Sequence, residues 1–263
     1  MYDFNYHKPA SVSDAVSAAN AAEDAKYLAG GQTLLPTMKQ RLAMPSDLLD
    51  LSGSGIAGIT VDGDNVVIGA MTSHDAVASS ADVKAAIPGL AALAAGIGDQ
   101  QVRNRGTIGG SVANNDPAAD YPAACVALGA TIKTDRREIG ADDFFKGMFE
   151  TALEEDEVIT SISFPKPAAC NYQKFPNPAS RYALVGVMVA KTGAGVRVAV
   201  TGAGEAGVFR ASDMEAALAT DFSGAAVANV TVSAEGLNND IHASAAYRAN
   251  LIGVMAKRAV EAC

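Results

Sequence analysis

Two double-glycine turns, Ala29-Gly30-Gly31-Gln32-Thr33 and Thr107-Ile108-Gly109-Gly110-Ser111, constrain this chain more than any other feature. Adjacent glycines let backbone amides approach a ligand with no side chain in between, and successive N–H groups form a concave nest for phosphate oxygens. One such turn is most simply a tight turn. Two, each with a hydroxyl beside its glycines, suit a shared pyrophosphate, because two phosphates need many donors. The second run continues to Asn114 and on to Asp120, whose carboxylate is spaced to accept from ribose hydroxyls. Asp120 also reads as the N-cap of a helix over Tyr121 to Leu128, and the two roles are compatible. A third turn, Gly202-Ala203-Gly204-Glu205-Ala206-Gly207, fits G-x-G-x-x-G. A lone match is weak, and the helix that should start at its glycines is delayed to about Ser212. A side chain at Gly109 is therefore expected to block phosphate, and one at Gly204 to be tolerated.

The order of patterns suggests three units. In residues 1–55, a helix from Ala15 to Ala22 capped by serine hydroxyls precedes a strand at Lys26 to Ala29. The first glycine turn, a helical turn at Leu34 to Lys39 and a strand at Ser46 to Leu51 follow. Residues 56–166 begin with a hairpin, Gly58 to Val61 and Val66 to Ala70 around Asp62-Gly63-Asp64-Asn65. Helical stretches at Ser73 to Ser80 and Gly89 to Gly96, a buried helix at Tyr121 to Leu128 and a strand at Glu157 to Phe164 complete the unit. Pro165-Lys166-Pro167 marks a boundary. Residues 167–263 carry apolar runs at Ala183 to Lys191 and Val196 to Thr201 around a glycine turn, then helices at Ser212 to Ala219 and Ala243 to Ala262. Tyr247, Leu251, Val254, Met255 and Ala259 should form one buried stripe on the last helix.

Composition removes several classes of function. With 263 residues, 49% of them apolar, the chain can bury a substantial core. A net charge of -9 with no run of Lys or Arg argues against nucleic acid or an anionic membrane as partner. No stretch is apolar enough for a membrane span, and no secretory leader precedes the first unit, so a cytoplasmic protein is expected. Cys125, Cys170 and Cys263 are too scattered for a disulfide framework, a zinc site or an iron–sulfur cluster, and at least two should be packed inside. The three histidines offer no metal-binding pair.

The longer runs around the glycines, Leu28 to Lys39, Gln101 to Ser111 and Asn115 to Pro122, resemble the two FAD-binding motifs of the molybdenum hydroxylase flavoproteins, the carbon monoxide dehydrogenase and xanthine dehydrogenase family. Within that family the likeness is to the medium subunits of the aerobic carbon monoxide dehydrogenase type. Tyr172-Gln173-Lys174-Phe175 and Ala179 to Ala183 resemble the family's segment beside the isoalloxazine, and Glu157-Val158-Ile159 its preceding flavin-contacting strand. The likeness covers essentially the whole chain. It implies an α+β fold like that of vanillyl-alcohol oxidase (PCMH type), with two α/β subdomains cradling FAD and a C-terminal domain of antiparallel sheet and helices.

The resemblance also implies residue roles. Ala29, Gly30, Gly31, Gln32, Thr33 and Leu34, with Thr107, Ile108, Gly109, Gly110 and Ser111, would hold the pyrophosphate and its surroundings. Asp120 would bind ribose, Ile97 and Asn114 would line the cofactor, Ile159 would pack near the flavin end, and Tyr182 would lie beside the ring system. From the residues alone, Tyr182 is equally an ordinary strand tyrosine. Gln32-Thr33 stands where relatives often have His-Ser, and Ser111 where Asn is common; hydrogen-bonding ability is kept. No catalytic side chain and no metal ligand is implied. The implied partners are a molybdenum-cofactor large subunit, a [2Fe-2S] small subunit and an external electron acceptor. Two other readings stand: a redox-inactive nucleotide-binding or assembly subunit, and a stand-alone FAD oxidase. The oxidase would need a substrate base that the sequence does not offer.

Overall fold

The computed structural model describes residues 1–263. Strand β1 (Asn5–His7), helix α1 (Val12–Ala21), strand β2 (Ala25–Leu28), helix α2 (Leu34–Lys39) and strand β3 (Asp47–Asp50) form the first unit. Its sheet, in the order β1-β3-β2, is parallel throughout. Ser11 caps α1 by accepting from the Asp14 amide, as the clustered hydroxyls predict. The first glycine turn lies between β2 and α2, so the β2 strand delivers it and α2 carries the chain away.

The second unit is built on a five-stranded antiparallel sheet, order β4-β5-β10-β6-β7. The hairpin β4 (Ile59–Asp62) and β5 (Asn65–Gly69) leads to helices α3 (His74–Ser79), α4 (Ala81–Ala86), α5 (Pro88–Ala95), α6 (Gln100–Arg105), α7 (Ile108–Asn114) and α8 (Tyr121–Leu128). Then come β6 (Thr131–Thr134), β7 (Glu138–Gly140), the short α9 (Ala141–Phe144), a small hairpin β8 (Phe145–Gly147) with β9 (Glu150–Thr151), and β10 (Ile159–Pro165). Ile68, Ile162 and Ile132 sit in register across three strands and, with Val66 and Phe164, put one apolar face under the helices. Every residue of α8 is buried, which explains its lack of a polar face.

The remaining chain forms an antiparallel sheet in the order β11-β12-β13-β14, from β11 (Ala169–Pro176), β12 (Ala183–Thr192), β13 (Gly195–Thr201) and β14 (Phe209–Arg210). Helices α10 (Ser212–Thr220), α11 (Gly224–Ala228) and α12 (Ala245–Glu261) complete it. The sheet is buried on both faces. Cys170, Tyr172, Met188, Ala190 and Ala199 join the core of the second unit, while Val185, Val187, Val189, Val198 and Val200 pack with Leu251, Ile252 and Met255 of α12. Leu251, Met255 and Ala259 of the anticipated stripe are buried, but Tyr247 is exposed and rests edge-on against Phe175. Cys125 and Cys170 are buried and Cys263 is exposed. No helix is long and apolar enough to cross a membrane.

Candidate cofactor-binding cleft

A cleft of about 560 Å³ opens where the three regions meet. Its walls include Ala29 to Leu34 from the first unit; Ile97, Thr107, Gly109, Gly110, Ser111, Asn114, Asp120 and Ile159 from the second; and Tyr182 from the loop before β12. All the anticipated site residues line it except Ile108, which is fully buried in the core. The Gly202–Gly207 turn is not part of its wall.

The two glycine runs do different work. In the first, the amides of Gly30, Gly31, Gln32 and Thr33 meet no protein acceptor, and Gly31 is left-handed at φ +74°. This is a nest of unspent donors at the wall of a cleft, the arrangement that receives phosphate oxygens. Gly30 is glycine for another reason: a β-carbon there would lie 2.2 Å from the Arg105 carbonyl oxygen, so the first unit touches the second at this residue.

The second run corrects the sequence reading. It is the first turn of α7, not a free loop, and its amides are already used. Ile108 N–H donates to the Thr72 carbonyl (3.1 Å), Gly109 to Ala70 (2.8 Å) and Ser111 to Thr107 (3.0 Å), while Gly110 donates to the Thr107 hydroxyl (3.1 Å). A β-carbon on Gly109 would meet Ala70 Cβ at 2.5 Å and its carbonyl oxygen at 2.7 Å, so this glycine is required by packing against the end of β5. Thr107, Gly109, Gly110 and Ser111 nevertheless line the cleft, and Gly110 packs closely on Ala29 of the first run. Nor is Gly204 permissive, since a β-carbon there would lie 2.6 Å from the Gly207 carbonyl oxygen.

Asp120 also departs from expectation. It stands at the N-cap position of α8 but in αR geometry, with no side-chain capping bond. Its buried carboxylate instead accepts from Tyr172 Oη (2.5 Å) and pairs with Lys174 Nζ (3.1 Å), both from β11. Burial raises its pKa, opposed by the Lys174 charge and the Tyr172 hydrogen bond. The carboxylate thus ties the C-terminal sheet to the cleft.

Two other wall residues, His74 and Tyr27, carried no signal of a site in the sequence. His74 is buried, with its Nδ1 unpartnered and its ring tilted against Tyr121 at 5.3 Å. Burial, aided by the positive charge of Arg103, lowers its pKa to about 4 and keeps the imidazole neutral. A β-carbon on Gly106 would sit 2.5 Å from His74 Nε2. At the other side, Tyr27 Oη donates to the Asp156 carbonyl (2.9 Å), joining the first and second units. Buried Glu157 accepts from Arg137 (2.8 Å) and from the Thr134 hydroxyl (2.8 Å), and the Arg137 guanidinium leads the effects that hold its pKa at about 2. Tyr182 is half-exposed at the mouth beside Arg181, whose φ is +63°; it is not an interior strand tyrosine.

Comparison with known proteins agrees with this geometry. Residues 2–167 match the family described as FAD binding domain in molybdopterin dehydrogenase. The carbon monoxide dehydrogenase medium chain of Hydrogenophaga pseudoflava is 37% identical, covering 98% of this chain and 96% of the relative. The nicotine 6-hydroxylase medium subunit of Paenarthrobacter nicotinovorans is also 37% identical, over 97% and 95%. Among solved structures, the carbon monoxide dehydrogenase of H. pseudoflava that lacks the Mo-pyranopterin moiety superposes with a TM-score of 0.90 at 38% identity, covering 99% of this chain and 97% of the other. Quinoline 2-oxidoreductase from Pseudomonas putida 86 gives 0.89 at 30% identity, over 100% and 97%. With a nest of open amides in its cleft and whole-chain likeness to these oxidoreductase components, the chain belongs to the FAD-binding family of the molybdopterin dehydrogenases.

Proposed function

We propose that this chain is the FAD-carrying subunit of a molybdenum hydroxylase complex, taking electrons from a [2Fe-2S] partner and releasing them to an external acceptor. The observation that carries the reading is the row of unpartnered amides from Gly30 to Thr33, facing a cleft formed by all three regions. The medium-chain and medium-subunit names of the relatives support a place beside a large molybdenum subunit and a small iron–sulfur subunit. Bound FAD would supply a group that exchanges electrons one or two at a time.

The protein's own part is to bind and orient. Gly30 to Thr33 hold the diphosphate through their amides, flanked by Ala29 and Leu34. Thr107, Ser111 and Asn114 add side-chain contacts, and Gly109 and Ile108 support them from behind. Asp120, already fixed by Lys174 and Tyr172, presents a carboxylate oxygen to ribose or ribityl hydroxyls. Ile97 and Ile159 supply apolar wall, and Tyr182 covers the mouth. The corresponding domain divisions are 1–55, 56–166 and 167–263.

Neither glycine run carries a His or Cys, and His74 in the cleft wall is buried against Gly106 and Tyr121, so FAD is held without a covalent bond. Acid precipitation of the native complex should release all the flavin into the supernatant, and the bound chromophore should bleach with dithionite. Flavin retained in the pellet would sink the noncovalent reading. A folded complex that takes up no FAD would sink the function itself, and bound flavin that does not bleach would favour a redox-inactive subunit.

A further inference from the structure

The turn that follows α5 is held by three cations from three different places. Lys174 Nζ of β11 donates to the Gly96 carbonyl at 2.8 Å. Arg103 Nη1 of α6 donates to the Ile97 carbonyl at 3.0 Å and to Gly98 at 3.3 Å, while its Nη2 reaches Gln100 Oε1 at 3.0 Å. Arg181 Nη1 reaches the same Gly98 carbonyl at 3.4 Å. Carbonyls at a helix C-terminus lack intrahelical partners and carry its negative end, so cations gather there readily. Here the turn does more than end a helix: Ile97 and Gly98 line the cleft, and Lys174 also pairs with Asp120 in the same wall.

We propose that Arg103 is a positioning residue for the cofactor, fixing the Gly96–Gly98 turn so that Ile97 and Gly98 form a rigid wall against it. This rests on the reading of the cleft as an FAD site. Arg103 is the member of the clasp that belongs to the same unit as the turn: its Nη1 bonds two successive carbonyls while its Nη2 holds Gln100 Oε1, and a lysine ammonium does not reproduce that planar pair of nitrogens. Lys174 and Arg181 meet the turn from the C-terminal side. Gly98, at φ +50°, gives the turn its shape, and a β-carbon there would crowd Val102 at 3.0 Å. Arg103 and Gly98 therefore act on the cofactor through one element.

The test is a double-mutant cycle on FAD dissociation constants, with apo melting temperatures measured alongside. Arg103→Met and Gly98→Ala should each weaken FAD by roughly tenfold, and the double variant also by roughly tenfold, because the second change has nothing left to release. Arg103→Lys should recover only part of the affinity. A double variant weakened by about a hundredfold would mean independent effects and overturn the proposal, as would full recovery with lysine or unchanged affinity in Arg103→Met. Should Arg103→Met fail to fold, the same cycle is run with Arg103→Lys, where additive losses again overturn it. Absence of FAD binding by the unaltered protein would instead reject the cofactor reading.

Discussion

At Gly31 the backbone sits at φ +74° among open amides, whereas at Gly109 it is pressed against Ala70. Alanine at the first position strains the turn by about 1 kcal/mol and disorders the donors, while alanine at the second overpacks a core contact at a cost of roughly 1–3 kcal/mol. Gly31→Ala should therefore lose FAD affinity by about tenfold with a modest fall in apo stability. Gly109→Ala should lower the urea midpoint of the apo chain first. Gly193→Ala, with open space around it, serves as the neutral reference. Equal urea midpoints for Gly109→Ala and the reference would contradict the packing assignment. Among the several groups whose pKa the fold shifts, His74 and Glu157 act in distinct acid windows. His74, neutral in the fold with a pKa of about 4, binds its proton more readily when unfolded, so its contribution is complete above the ordinary histidine value and is lost as pH falls through the folded value. Glu157, held at about 2, contributes above the ordinary glutamate value and loses that stability as pH falls further. The His74 window is worth up to about 3 kcal/mol, and the Glu157 window about 1–2 kcal/mol after solvent screening of Arg137. Melting temperature should decline in two stages on acidification. His74→Phe should flatten the first stage, and an unaltered first stage in that variant would refute the assignment.

At the scale of elements, helices and strands with a clear period or cap were legible. Ser11 before α1, the Leu34–Lys39 turn of α2, the β4–β5 hairpin and the β12–β13 pair all lie where the sequence puts them. What the sequence hid were elements whose reason is tertiary. Glycines at positions 109 and 110 disfavour a helix by intrinsic propensity, so α7 reads as a turn; it forms because Thr107 caps it and the carbonyls of Thr72 and Ala70 take its first amides. Strand β11 mixes polar and apolar residues without clean alternation, and Tyr172 and Lys174 point to a buried partner, Asp120, that lies 52 and 54 positions away in the chain. The helix at Tyr121 announces itself, yet the carboxylate before it is drawn off by that ion pair and does not cap. The cleft residues around Gly30 and Gly31 were legible because that glycine run marks backbone exposure, whereas the second run reaches the wall through its packing on Ala70. His74 and Arg103 were not, since nothing local in the sequence tells a buried neutral imidazole or a carbonyl-clasping guanidinium from any other helical residue.

For the whole molecule, the β11–β14 sheet is an internal wall with an apolar layer on each side. The stretch that matches the FAD-binding family ends at residue 167, just before that wall begins. Residues 1–167 expressed alone should therefore expose the core surface that Cys170, Tyr172 and Met188 cover, and leave Asp120 without Lys174. Such a fragment should bind a hydrophobic dye strongly, run as an aggregate on size exclusion and fail to bind FAD. A monomeric fragment with native-like near-ultraviolet dichroism would show the sheet to be dispensable. The meeting of Gly30 with the Arg105 carbonyl has a wider consequence. Because the nest lies on the seam between the first two units, a ligand held there would touch both of them. Filling the nest should stiffen the seam, so a bound cofactor would fasten the two units to each other as well as supply their redox group.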